Sequence, residues 1–111
     1  MAVYVDDMLL FADVPNGSRV ISGNWSHLMA DTDEELHTFA LRLGLRREWA
    51  QYEGTWKSHY DVTESIRRKA LRMGAILISW LTDGARLTEC KRQGVPFVLE
   101  RDAGEPTLFD D

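Results

Sequence analysis

The feature that most constrains this chain is a pair of helix starts with the same spelling. Asp31…Glu34…Ala40-Leu41-Arg42-x-Gly44 returns as Asp61…Glu64…Ala70-Leu71-Arg72-x-Gly74. In the first copy, Thr32 to Glu35 is a capping box: the hydroxyl serves an orphan amide and the glutamate reaches back to the cap. Asp33 and Glu34 place negative charge at the positive end of the helix dipole. Leu36, Phe39, Ala40 and Leu43 then recur at helical spacing, and Gly44 stands where a left-handed glycine closes a helix. In the second copy Asp61 or Thr63 caps, Ile66, Ala70 and Met73 form the buried stripe, and Gly74 ends it. Two capped amphipathic helices of equal length are enough to produce such an echo.

Short apolar runs separate these helices. Ala2-Val3-Tyr4-Val5 reads as a strand. Val14-Pro15-Asn16-Gly17-Ser18 reads as a turn, because proline presets φ and Asn-Gly tolerates positive φ. Arg19 to Ser22 and Trp25 to Ala30 read as two strands broken at Gly23-Asn24. The alternation in Arg46 to Tyr52 predicts another strand, and His59-Tyr60-Asp61-Val62 leads into helix two. Ala75 to Trp80 is an apolar strand of the buried kind. Thr82 then caps a third helix to about Gln93, and Val95 to Leu99 is a last strand, with Pro96 pointing to an edge position or the strand start. Strands alternating with helices predict an α/β fold: one compact layered domain over 1–100, with a mixed sheet of about four to five strands and about three helices. Residues 101–111 read as a polar tail.

Composition bounds the function classes. With 111 residues the chain buries enough surface to fold without disulfides or a structural metal. The net charge of -5 disfavours nucleic-acid binding, which normally shows as a basic excess. Cys90 is the only cysteine, so no internal disulfide forms and nothing points to secretion. The start of the chain lacks the basic segment of a signal peptide, and no apolar run approaches ~18 residues. A cytoplasmic, non-membrane protein is expected. Four tryptophans are generous for this length; such rings go to core packing or serve as stacking platforms in ligand pockets.

The chemistry gathers at the expected strand ends, where α/β sheets bind ligands. Asp6 follows the first strand, Asp31 follows Leu28-Met29-Ala30, and Asp61 opens helix two. The three histidines lie close by: His27 and His37 flank Asp31, and His59 precedes Asp61. Imidazole and carboxylate together can ligate a divalent metal or run acid–base chemistry. His27, His59 and Asp61 are the candidate catalytic groups. Asp6, Asp31 and His59 are candidate metal ligands, and Asp31, His37 and Tyr60 candidate ligand contacts. Arg42 or Arg67 could steady a phosphate, although Arg67-Arg68-Lys69 also reads as a solvated face. Capping accounts for part of the roles of Asp31, Thr32 and Asp61, and His27 could be a packed strand histidine beside Trp25 and Met29. There is no P-loop, GxGxxG, nucleophile elbow or HExxH. Cys90, on a helix interior face, reads as structural.

The runs Trp25-Ser26-His27-Leu28-Met29-Ala30-Asp31-Thr32, Glu35-Leu36-His37-x-Phe39-Ala40 and His59-Tyr60-Asp61-Val62 resemble domain-of-unknown-function family 4031, a family of short bacterial and phage proteins. Val3-Tyr4-Val5-Asp6 and Gly74-Ala75 share the likeness, which extends to about Ser79. The resemblance implies that His27, Asp31, His37, His59, Tyr60 and Asp61 are motif positions, and that the origin is bacterial or phage, hence a host cytoplasm in the latter case. It names no reaction.

Two functions remain open at this level. One is a His/Asp pocket that binds, and hydrolyses, a phosphate-bearing small molecule or nucleotide. The other is a non-catalytic phage module that sequesters a nucleotide signal or inhibits a host protein. The acidic tail with Leu108-Phe109 resembles a short clamp-binding motif and offers a third, tethering role. A homo-oligomer is compatible with each.

Overall fold

A computed structural model describes residues 2–16 and 18–99; the 101–111 tail with Leu108-Phe109 lies outside them. The chain runs β1 (Val3–Asp6), β2 (Leu10–Asn16), β3 (Arg19–Ala30), α1 (Asp33–Leu43), β4 (Tyr60–Thr63), α2 (Glu64–Arg72), β5 (Ile76–Ile78) and α3 (Ala85–Gln93). A short 3-10 turn at Arg47–Trp49 and a π-helical turn at Trp80–Gly84 complete it. Five strands in one mixed sheet with three α-helices make this the expected α/β fold. Among the described residues, no helix is long and apolar enough to cross a membrane.

The caps of α1 and α2 fall on expected residues, although Glu35 accepts from the Thr32 hydroxyl rather than from its amide, and the third cap differs. Thr32 Oγ1 accepts from the Glu35 amide at 3.2 Å, and Gly44 closes α1 at φ 89°. The second cap is Thr63, whose Oγ1 accepts from the Ile66 amide; Asp61 lies two residues upstream, inside β4. Thr82 does not cap α3; Ser79 caps the π-helical turn that leads into it, its hydroxyl accepting from the Asp83 amide at 3.0 Å while Asp83 Oδ2 accepts from Ser79 N at 3.1 Å.

Strand β3 is the spine of the sheet. The hydrogen-bonded path is β2-β3-β1-β5, with β4 also on β3. Trp25 stands opposite both Leu10 and Thr63, and Leu28 opposite both Val5 and Tyr60. A strand residue has one neighbour on each side, so β4 lies along one edge of β3, while β1 and β2 follow each other along the other. β1 pairs antiparallel with β3 and parallel with β5.

Several expected elements differ. Gly23-Asn24 does not break β3, because β2 runs alongside as a partner ladder and Gly23 pairs with Ala12. That ladder continues through Val14, Pro15 and Asn16, which shortens the expected turn. Arg46 to Tyr52 is not a strand: it makes the 3-10 turn, and only Gln51 bridges, to His59. Val95 to Leu99 pairs with no described strand. Instead Leu99 is buried and Phe97 packs edge-on against Tyr4 at 5.4 Å.

Pleating sorts the strands onto two faces. Val3, Val5, Leu28, Ala30, Tyr60 and Val62 face α1 and α2 in one apolar core with Leu36, Phe39, Ala40 and Ala70. Tyr4, Met29 and Ile78 face the other way and meet Leu87 of α3. Phe97 and Leu99 pack beside that helix on the second face.

Candidate functional site

The site sits on the second face, at the C-terminal end of β1, where α3 begins. Its foundation is Asp6, whose side chain is fully buried. The step between β1 and β2 interrupts pairing with β3, and the Asp6 carboxylate fills the gap. Oδ1 accepts from the backbone of His27 at 3.0 Å and of Met8 at 3.2 Å, while Oδ2 accepts from His27 Nδ1 at 2.7 Å. Arg67 Nε donates to the Asp6 carbonyl at 2.9 Å from the α2 side. Asp7 Oδ1 accepts from Trp80 N at 2.8 Å, tying the same strand end to the approach to α3.

His27 pairs with Asp61 across β3 and β4, so both side chains leave the same face. The Gln51–His59 bridge extends that edge and brings His59 to the same place. The His27 and His59 rings meet at 5.0 Å, nearly perpendicular. His59 Nδ1 donates to the Lys57 carbonyl at 2.7 Å, and His59 Nε2 lies 3.4 Å from Asp61 Oδ1. Gln51 Nε2 donates to the other Asp61 oxygen. One ligand atom from each of His27, His59 and Asp61 falls within 4.8 Å of the others.

The tautomers follow from these partners. A backbone carbonyl only accepts, and an ionised carboxylate only accepts. Both histidines therefore carry their proton on Nδ1 when neutral and present the Nε2 lone pair. A neutral His59 would set that lone pair against the Asp61 carboxylate. Such a contact requires a cation between them, either a proton or a metal. Burial pushes the His59 imidazolium towards lower pKa. The Asp61 hydrogen bond, the Lys57 carbonyl and the charges of Asp61 and Asp6 outweigh it, so His59 titrates above the ordinary histidine value. Asp61 shows the counterpart: burial raises its pKa, but the His59 and Gln51 hydrogen bonds and the charges of His59 and His27 hold it below the usual carboxylate range.

A cleft of about 390 Å³ opens beside the cluster. His27, His59 and Met29 line one side, Trp80, Leu81, Gly84, Ala85 and Thr88 the α3 side, and Tyr52, Trp56 and Lys57 the loop side. Tyr52 stands at φ 53°, a left-handed conformation that costs a bulky residue of order 1–3 kcal/mol. In that position its ring stacks on His59 at 6.0 Å.

Not every expected residue is here. Asp31 closes β3, which runs opposite to β1, so it lies at the far end of β1 from Asp6. It accepts there from Ala2 N at 2.9 Å and Tyr4 Oη at 3.0 Å. His37 and Tyr60 hydrogen-bond each other at 2.8 Å, buried on the α1 face across the sheet. Arg42 is exposed on α1, its guanidinium 5.8 Å from the Phe39 ring, also on that side. Arg67 reaches the Asp6 carbonyl only. Of the expected metal ligands, His59 joins the cluster, Asp6 is engaged with His27 behind it, and Asp31 is elsewhere. Gln51, Tyr52, Trp56, Lys57 and Trp80 were not singled out by sequence; only the number of tryptophans hinted at stacking surfaces.

The fold and this cluster define an α/β domain with two histidines and one aspartate converging on one face of its sheet. The chain belongs to the family described as protein of unknown function (DUF4031), whose model matches residues 3–90. Neither the curated proteins nor the solved structures contain a significant match.

Proposed function

We propose that His27, His59 and Asp61 bind one divalent transition-metal ion, and that the protein uses it to hydrolyse a phosphate-bearing small molecule. The observation that carries this reading is the orientation of the two imidazoles. Each has Nδ1 fixed by an acceptor, Asp6 for His27 and the Lys57 carbonyl for His59, which turns both Nε2 lone pairs outward. A carboxylate or carbonyl behind a ligating histidine is the usual support of a metal site. Two imidazoles and one carboxylate suit zinc, with a position left open. A metal in such a site supplies Lewis-acid polarisation of a phosphoryl oxygen and an activated water. Lys57, on the cleft wall, is the cation placed to meet an incoming anion.

Zinc titration of the full chain by calorimetry tests the metal. One equivalent should bind to wild type and to Asp31→Asn, and binding should be lost in His59→Ala and Asp61→Ala. Absence of zinc binding, or equal loss in Asp31→Asn, would falsify the assignment. Release of inorganic phosphate from a panel of sugar phosphates and nucleotides tests the hydrolysis. Stoichiometric binding with no phosphate released would replace the enzyme with a sequestering module on the same pocket.

A further inference from the structure

We infer that the cleft beside the metal cluster takes a mononucleotide, its base held among Tyr52, Trp56 and Trp80 and its phosphate directed to Lys57 and the metal. This rests on the metal reading above and adds the substrate class.

Three aromatic rings line this one cleft and none is buried. Tyr52 is 59% exposed, Trp80 43% and Trp56 38%. Large rings normally go inside, and an exposed cluster of them marks a recognition surface. The cleft volume of about 390 Å³ is at the small end for ligand sites and matches one base with its sugar rather than a longer polymer. Rings at a binding surface hold a nucleobase by stacking, which is tolerant of base identity.

The backbone at Tyr52 gives an independent reason. A tyrosine held at φ 53° is unfavourable by itself, and no turn requires that residue type there. The conformation lays the ring beside His59 at the cleft edge. Strain retained at such a place fits a ring positioned for a ligand.

Lys57 supplies the charge. Its Nζ lies 5.4 Å from the Tyr52 ring centre and 5.0 Å from that of Trp56. It makes no ion pair with a carboxylate among the described residues. An ammonium held against two rings on the cleft wall meets a phosphate while the rings take the base. A sugar phosphate would use the lysine and the metal and leave the rings idle. A strand end offers the same base and phosphate as a free mononucleotide, but the net charge of -5 disfavours the strand.

Calorimetry on the zinc-loaded full chain separates these cases, with adenosine 5′-monophosphate, ribose 5-phosphate and a 5′-phosphorylated tetradeoxyadenylate as probes. The monophosphate should bind at least tenfold tighter than ribose 5-phosphate. Trp56→Ala and Trp80→Ala should each erase that difference while still binding one zinc. Lys57→Ala should weaken both small probes several-fold. Equal affinity for the two small probes, or an unchanged preference in both tryptophan variants, overturns the base clamp even where zinc binds. Tenfold tighter binding of the tetranucleotide overturns the free mononucleotide as occupant. If zinc does not bind but the preference survives in zinc-free protein and needs the tryptophans, the metal reading fails and the clamp stands.

Discussion

The two faces of the sheet are built from the same strands and could hardly differ more. On the α1–α2 face, Leu28, Tyr60 and Val62 are sealed under two helices, and the polar pair there, His37 with Tyr60, is buried, with His37 Nε2 3.6 Å from Glu53 Oε2. On the opposite face the adjacent residues, His27 and Asp61, belong to the cluster with His59, and His27 lines the cleft beside it. Helix α3 and the segment with Phe97 and Leu99 cover part of that face, packing on Tyr4, Met29 and Ile78. Beyond that part stand His27 and Asp61, with the buried Trp25 two residues further back along β3. The site thus lies beside the cleft between these strands and the start of α3. Alternation lets one strand serve stability and chemistry at once, on consecutive residues.

Substitutions on the two faces should therefore fail in different ways. The largest effect is expected on the closed face. Leu36→Ala removes a fully buried side chain from α1 and should cost about 2–5 kcal/mol in urea denaturation, with zinc affinity of the folded protein unchanged. A change of zinc affinity there would show that the faces are coupled.

Next comes Asp6→Asn. Asparagine keeps an acceptor for the His27 amide but loses the charge behind the imidazole. Zinc affinity by calorimetry should fall about 10–100-fold. Unchanged affinity would reduce Asp6 to a filler of the gap in the ladder.

Tyr52→Gly should do the reverse to stability. It relieves a left-handed tyrosine and should raise stability by about 1 kcal/mol, seen as a few degrees in melting temperature. A lowered melting temperature would mean that the stack on His59 outweighs the backbone strain.

The smallest effect is the pH dependence of the metal-free protein. His59 titrates higher when folded, so its stabilisation is complete below the unfolded value and fades as pH rises through the folded one. Asp61 titrates lower when folded, so its stabilisation is complete above the unfolded value and fades as pH falls through the folded one. The stability gap between wild type and His59→Gln should be widest at roughly pH 4–6.5, between the two unfolded values. Zinc affinity should run the other way at the upper edge, rising with pH as the proton on His59 stops competing. A flat difference across pH 4–9 would show that His59 and Asp61 are not paired.

Local signals were legible throughout. Thr32, Glu35 and Gly44 bound α1 where their spelling predicts, because a cap needs only neighbours three or four residues away. The α/β class followed from the alternation of strands and helices. Less legible were runs whose identity depends on a distant partner. Val95 to Leu99 has the composition of a strand but no described partner to pair with, so Phe97 and Leu99 pack as side chains instead. His59 to Val62 looked like the approach to a helix, but Tyr60 to Thr63 became β4 and His59 a bridge to Gln51, because the edge of β3 lay open to them.

The candidate site divides along the same line. Sequence alone singled out His27, His59, Asp61 and Asp6 by residue type and by nearness to element ends. It also offered Asp31 as a metal ligand, and Asp31 and His37 as ligand contacts. Only strand direction and pleat separated them. Antiparallel pairing of β1 with β3 sends Asp31 to the end of β1 away from Asp6, and α1 carries His37 to the opposite face. Capping is decided within one turn of chain, so it can be read from a few residues. Which carboxylate meets which imidazole is decided by pairings between β1, β3 and β4, and no local spacing encodes the direction of a strand's neighbour.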